Sequence, residues 1–292
     1  MKLVRKIKRY IIKTVNHIKG GKAERDINKF KCEFGLNTTE IRDKKIIISL
    51  ASYKSRYKTI IPTLKSLLWQ EKKPDRIIVW LDEDIPENKI TEEMSELTQY
   101  GIEYRYTKEN MKSHKKYFYS MQEFPDDYII TVDDDLIYSR SLVSSLVRCS
   151  EKNPRCICAR RVHRIIVGQE GNILPYKEWE YESTSKRIPA HDLCATGCGG
   201  VLYPPHVLPP ETFDIELIQK YCLNADDIWL KCMELLNDIK VVWVKNLYIM
   251  PKETSNSQES SLNSVNTWNH GNDEYLAAVM KLYPNLLEKI PH

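Results

Sequence analysis

Three consecutive carboxylates, Asp133, Asp134 and Asp135, follow the apolar run Tyr128-Ile129-Ile130-Thr131-Val132 and precede Leu136-Ile137-Tyr138. A strand that delivers acids at its end and then turns apolar again places those acids at the rim of a sheet. Adjacent carboxylates repel one another, and a hard divalent cation such as Mg²⁺ or Mn²⁺ is the usual compensation. A second acidic pair, Asp226-Asp227, opens the run Ile228-Trp229-Leu230. Acids at that place suit a helix N-terminus. Between the two acidic groups lies Thr196-Gly197-Cys198-Gly199-Gly200. Its glycines form a tight turn or let the backbone approach a ligand closely. Asp82, with Glu83 and Asp84, precedes Pro86 in a turn-like stretch, and Lys115-Lys116 forms a basic pair before the acidic strand. Those two lysines either contact a ligand or are solvated.

Positioning these residues requires a sheet. Lys45 to Leu50, Arg76 to Leu81, Ile102 to Tyr106 and Asp127 to Val132 read as strands. Between and after them the pattern predicts helices over Arg56 to Gln70, with Pro62 near its first turn, Thr91 to Tyr100, with Thr91 as N-cap, Ser113 to Glu123 and Ser139 to Ser150. Such alternation predicts a parallel, doubly wound α/β sheet. Ligands of open α/β sheets bind outside the carboxyl ends of the strands. Ser49 to Tyr53, Asp82 to Asp84 and the acidic triplet would therefore meet at one crevice. The second half is less regular: strands over Arg155 to Val162, Val201 to Tyr203 and Val241 to Val244, helices over Asn224 to Leu236 and Asp273 to Leu282, and loop-like residues 168–190 and 253–266.

The chain has 292 residues and a formal net charge of +4. Lys2, Arg5, Lys6, Lys8, Arg9, Lys13, Lys19 and Lys22 lie in an N-terminal stretch without an acid. Removing these eight from the 44 basic residues leaves 36 against 40 acidic ones, a balance of −4. A mildly acidic body argues against a nucleic-acid-binding core. Within residues 1–22, Leu3, Ile7, Ile11, Val15 and Ile18 recur at helical spacing. Such a basic amphipathic helix can lie on an anionic membrane surface, remain solvated, or pack on the body. No apolar segment is long enough to span a bilayer. The eight cysteines lack paired zinc-site spacing and read as reduced, cytosolic thiols. The organisation expected is a basic extension over 1–43 and one domain over 44–292, divided into a nucleotide-binding half (44–138) and an acceptor half (139–292).

These landmarks, in order, resemble the nucleotide-sugar glycosyltransferases of the GT-A fold, in the family 2-like group that builds bacterial surface polysaccharides. Val132-Asp133-Asp134-Asp135-Leu136 is similar to the family's Asp-x-Asp element. Phe124 to Asp135, Leu202-Tyr203-Pro204-Pro205 and Ala225-Asp226-Asp227-Ile228-Trp229-Leu230 resemble further landmarks, over roughly residues 44–282. The resemblance implies a Rossmann-like, doubly wound mixed sheet with an acceptor-binding second half. It implies a Mn²⁺- or Mg²⁺-dependent transfer of a sugar from a nucleoside diphosphate, UDP foremost, to a hydroxyl of a glycan or lipid-linked glycan. Asp135 and Asp133 would meet the metal, joined by a late histidine, His270. Ala51, Ser52, Tyr53, Asp82, Lys115, Lys116, Asp133, Asp134, Gly199 and Gly200 would line the donor site. Asp227, with Asp226 as neighbour or substitute, would be the base of an inverting transfer. Trp179 and Trp229 are candidate sugar platforms, or simply core.

Three other readings stay open at this stage. A retaining transferase has the same landmarks. A non-catalytic carbohydrate-binding or scaffold protein would keep the fold without the chemistry. A nucleotidyltransferase would want a glycine-rich phosphate loop after the first strand, where Leu50-Ala51-Ser52-Tyr53-Lys54-Ser55-Arg56 has no glycine. The expected location is the cytoplasm or, peripherally, the inner face of the cytoplasmic membrane.

Overall fold

The structure is a computed structural model and describes residues 27, 29, 33–186, 188–245, 252–254 and 271–290. The basic segment 1–22 and His270 lie outside the described residues. The first half contains strands β1 (Ile46–Ala51), β2 (Arg76–Leu81), β3 (Ile102–Tyr106) and β4 (Tyr128–Thr131), with helices α1 (Ile61–Leu68), α2 (Glu92–Glu96) and α3 (Lys115–Glu123). After the acidic triplet come β5 (Leu136–Ile137), α4 (Leu142–Lys152), β6 (Ile157–Ala159), β7 (Val162–Arg164), β8 (Leu193–Ala195) and β9 (Val201–Tyr203). The chain continues with α5 (Ile215–Tyr221), α6 (Asp226–Leu236), β10 (Val241–Trp243), β11 (Lys252–Glu253) and α7 (Gly271–Leu282).

Seven strands form the central sheet in the order β10-β6-β9-β4-β1-β2-β3. β1 runs parallel to both β2 and β4, and β2 to β3. β9 lies antiparallel to β4 and β6, so the sheet is mixed rather than wholly parallel. That reversal matters for the site. Thr131 at the end of β4 pairs with Val201 at the start of β9. The glycine turn leading into β9 therefore sits at the same edge as the acids leaving β4. β1 is buried on both faces, as a central parallel strand must be. Ile46, Ile48 and Leu50 enter one core cluster while Ile47 joins another, which follows from the two-residue alternation of a strand.

Helix α3 is keyed to the sheet by polar contacts. Ser120 Oγ lies 2.7 Å from Ser49 Oγ and accepts from Trp80 Nε1 at 2.8 Å. This anchoring aims the N-terminus of α3, with Lys115 and Lys116, at the carboxyl ends of β1 and β4. The helix expected over Arg56 to Gln70 is instead a single 3₁₀ turn, Lys54–Arg56, followed by α1, which begins with Pro62 in its first turn. Proline lacks the N–H that a helix interior needs but is tolerated in the first turn. The split leaves Arg56 at the site. The strand expected over Arg155 to Val162 is divided between β6 and β7. Thr91 caps α2 as expected, its Oγ1 accepting from the Met94 N–H at 3.3 Å.

Gly200 has a left-handed backbone (φ +88°), and a Cβ there would lie 2.5 Å from Leu142 Cδ1. Gly200→Ala is therefore expected to cost about 1–3 kcal/mol through backbone strain and overpacking. Urea denaturation would register this as a lower midpoint at an unchanged slope, and an unchanged midpoint would contradict it.

Candidate active site

Five carboxylates converge on the sheet edge, and each is balanced differently. Asp133 Oδ1 accepts from Lys116 Nζ at 2.8 Å, and its backbone N–H donates to the Tyr138 hydroxyl at 2.8 Å. Tyr138 in turn donates to the Cys198 carbonyl at 3.3 Å, which ties the acidic turn to the glycine turn. Asp135 pairs with Arg56 Nη1 at 3.1 Å, and its carbonyl accepts from the Thr254 N–H at 2.8 Å. Asp134 points the other way. It is buried, accepts from Ser52 Oγ at 2.6 Å, and its carbonyl accepts from Thr63 Oγ1 at 3.0 Å. Burial pushes its pKa up to about 7. The turn after β4 leaves Asp133 and Asp135 partly exposed and buries Asp134.

The acceptor-side pair opens α6. Asp226 accepts from Ser113 Oγ at 2.7 Å and pairs with Lys116 Nζ at 2.8 Å. Burial alone would raise its pKa, but the Lys116 ammonium outweighs that and holds it down at about 2. Asp227 Oδ1 accepts from the Gly197 N–H at 2.9 Å. Burial, reinforced by the charge of Asp226 beside it, pushes the pKa of Asp227 up to about 7. Adjacent acids are thus driven apart in proton affinity, which marks different roles. A Cβ at Gly197 would lie 2.6 Å from Lys116 Nζ, 3.3 Å from Asp133 Oδ1 and 3.4 Å from Asp227 Oδ1. Gly197 is therefore the glycine that stands between the two acidic groups. Gly199 packs on Arg161 and Gly200 on Leu142, so neither faces the carboxylates.

At the other strand ends, Asp82 pairs with Lys115 Nζ at 2.5 Å. Lys115 Nζ also lies 3.5 Å from the Ser52 carbonyl. Both lysines are buried, so neither is a solvated surface lysine. Tyr53 is exposed, with Arg56 Nε 3.3 Å from its hydroxyl, and Ala51 is half-buried at the end of β1. The two tryptophans are core residues rather than sugar platforms. Trp229 is wholly buried and donates to the Thr212 carbonyl at 3.1 Å. Trp179 is buried and donates to the Leu174 carbonyl at 2.9 Å.

Four side chains at the site were not among the candidates that the sequence suggested: Arg56, Ser113, Tyr138 and Arg161. Arg56 was hidden inside a helical pattern and Tyr138 inside an apolar run. Arg161 donates to Thr196 Oγ1 at 2.9 Å and to Cys198 Sγ at 3.3 Å, which stiffens the glycine turn from the far side. The seven cysteines among the described residues are free thiols. No helix among the described residues is long and apolar enough to cross a membrane.

The family profile of glycosyl transferase family 2 matches residues 47–200, which is more than half of the chain. No curated protein matches by sequence. Among solved structures, the mannosyltransferase PcManGT from Pyrobaculum calidifontis, in complex with GDP-Man and Mn²⁺, is similar over 96% of this chain and 79% of its own. Its TM-score is 0.51 at 9% identity. TarS 1–349 from S. aureus covers 72% of this chain and 60% of its own, at a TM-score of 0.44 and 13% identity. With its family profile spanning the first strand to the glycine turn, and its fold shared with a solved mannosyltransferase, the chain belongs to glycosyl transferase family 2 and is a nucleotide-sugar glycosyltransferase of the GT-A fold.

Proposed function

We propose that the protein is a metal-dependent, inverting transferase that moves a sugar from a nucleoside diphosphate, UDP foremost, to a hydroxyl of a glycan or lipid-linked glycan. The observation that supports this reading most is the pairing of unlike carboxylates across Gly197. Asp133 and Asp135 stand on the donor side, and Asp227, with its raised pKa, on the acceptor side. Residues 44–138 then form the nucleotide-binding half and residues 139–292 the acceptor half.

Among the described residues no group of three acids, histidines or cysteines is placed to hold a metal by itself. Asp133 and Asp135 nevertheless offer hard oxygen donors on side chains that are 33% and 22% exposed. Magnesium-type ions use one or two carboxylates and complete their shell with substrate phosphates and water. The donor set thus fits a divalent ion that arrives with a diphosphate. Bound there, the ion would neutralise charge building on the leaving nucleoside diphosphate.

The chain's own residues supply the rest. Tyr53 presents an exposed ring for stacking on the base, and the Asp82–Lys115 pair lies beside the preceding residue, Ser52. Asp227 accepts the proton of the acceptor hydroxyl as its oxygen attacks the anomeric carbon. The carbon–oxygen bond to the diphosphate breaks, and the bonding electron pair leaves with the phosphate oxygen. A base acting on the face opposite the leaving group gives inversion. A base with a pKa near neutrality is well matched to this task.

Asp227 accepts a proton only as the carboxylate. Transfer should therefore be full at alkaline pH and fall as pH drops through about 7. Asp227→Asn should lower donor turnover about 10²–10⁴-fold and abolish that acid limb, read by nucleoside diphosphate release. Retention of the limb in the variant would exclude Asp227 as the base. Asp135→Asn should cut turnover about 100-fold or more, and a chelator should do the same to the native protein. Full turnover of Asp135→Asn in metal-free buffer would refute the metal requirement. For residues 1–22 we propose a peripheral contact with anionic lipid, each basic residue near such a surface adding about 1 kcal/mol. Full-length protein should sediment with phosphatidylserine vesicles and protein lacking residues 1–22 should not. Equal sedimentation would remove the membrane contact.

A further inference from the structure

Four consecutive residues, Ser113 to Lys116, reach Asp226, the Cys222 carbonyl, Asp82 and Asp133 between them. Ser113 Oγ donates to Asp226 Oδ1 at 2.7 Å. His114, fully buried, meets the Cys222 carbonyl through Nε2 at 3.0 Å and the Tyr117 hydroxyl through Nδ1 at 2.8 Å. Lys115 reaches Asp82 at the end of β2. Lys116 pairs at 2.8 Å with both Asp133, after β4, and Asp226, on α6. The start of α3 thus holds the strand edge of the first half against the helix of the second.

Lys116 is the residue on which this arrangement turns. Its side chain is only 5% exposed, and Gly197 presses so close that a Cβ there would lie 2.6 Å from Nζ. An ammonium so enclosed commits two of its three N–H donors to these acids. Its two partners differ in their access to water: Asp133 is 33% exposed and Asp226 13%. Loss of the lysine would leave Asp133 solvated but strand a charge on Asp226, the costly outcome for a buried pair.

We propose that Lys116 is a positioning residue that ties the donor-side carboxylate Asp133 to the acceptor-side carboxylate Asp226, holding Asp227 toward the donor. This deepens the functional reading above and rests on it for the roles of the two acids. The role is distinct from the donor-phosphate contact that the sequence suggested for Lys116. The groups that act on Asp227 are Asp226 on its own helix, Lys116 from α3, Asp133 from the end of β4, and the Gly197 N–H. Arg161, Cys194, Cys198, Tyr176 and Tyr203 complete its surroundings. Among these, Lys116 favours the charged form of Asp227 and Asp226 disfavours it.

The test is a cycle of Lys116→Met, Asp226→Asn and their combination, with Lys116→Met/Asp133→Asn as comparison. Lys116→Met should lower Tm by roughly 5–10 °C. Adding Asp226→Asn should recover most of that loss, because the stranded charge is gone, whereas adding Asp133→Asn should recover none. The double variant keeps the test alive should Lys116→Met alone fail to fold. The acid limb of turnover should move to higher pH in Lys116→Met and return in the Asp226→Asn double, a response that a merely structural lysine would not produce. Calorimetric affinity for UDP with Mn²⁺ should stay within about threefold of the native value. A loss of about tenfold or more in that affinity with an unmoved acid limb would make Lys116 a phosphate ligand and overturn the proposal. Equal rescue by Asp133→Asn would overturn it as well. If the native protein binds no nucleoside diphosphate, the transferase reading fails, and the unfolding cycle alone still decides the role of Lys116.

Discussion

The repulsion among carboxylates gathered at one sheet edge is the constraint on which the site depends. Asp133, Asp134, Asp135, Asp226 and Asp227 stand there together, and each is compensated in its own way. Lys116 serves Asp133 and Asp226 at once, and Arg56 serves Asp135. Asp134 is turned inward onto Ser52, and Asp227 onto the Gly197 N–H. Buried charge is tolerated only when paired and hydrogen-bonded. Here two cations and a few fixed donors hold the acids.

Topology explains why the acids meet at all. Parallel β1, β2 and β4 all deliver their carboxyl ends to one edge. The antiparallel β9 brings its beginning, and so the glycine turn, to that same edge. Tyr138 stitches the acidic turn to the glycine turn, and Arg161 braces the latter from behind. The N-terminus of α3, held on the sheet by Ser120, then closes the gap to α6. A backbone with no Cβ at Gly197 is what lets an ammonium and two carboxylates crowd that point.

Much of this was legible in the sequence where local pattern and fold agree. β2 and β3 occupy the residues expected: Ile77 to Leu81 is a continuous apolar run, and Ile102 to Tyr106 alternates apolar or aromatic with charged residues. The inward direction of Asp134 is set by the turn after β4, where Ser52 and Thr63 hold it. Other features are decided by packing and leave no local trace. β8, three residues long, and α5, seven residues long, are too short for a periodic signal. An aromatic side chain has the same letter on a surface or in a core. Trp179 and Trp229 proved to be core because each indole N–H finds a carbonyl inside. Arg56 was obscured because Pro62 moved the helix start beyond it. Which glycine faces the acids depends on a crossing of β9 that no spacing reveals.

In the proposed function, the outward acids of this edge hold a divalent ion together with a nucleoside diphosphate. The most direct measurement is an anomalous difference map at the manganese absorption edge, from crystals grown with UDP and Mn²⁺. A single strong peak in contact with the Asp133 or Asp135 carboxylate and both phosphates is the result expected. A diphosphate ordered at this edge with manganese bound elsewhere, or an ion coordinated by neither residue, would contradict the account.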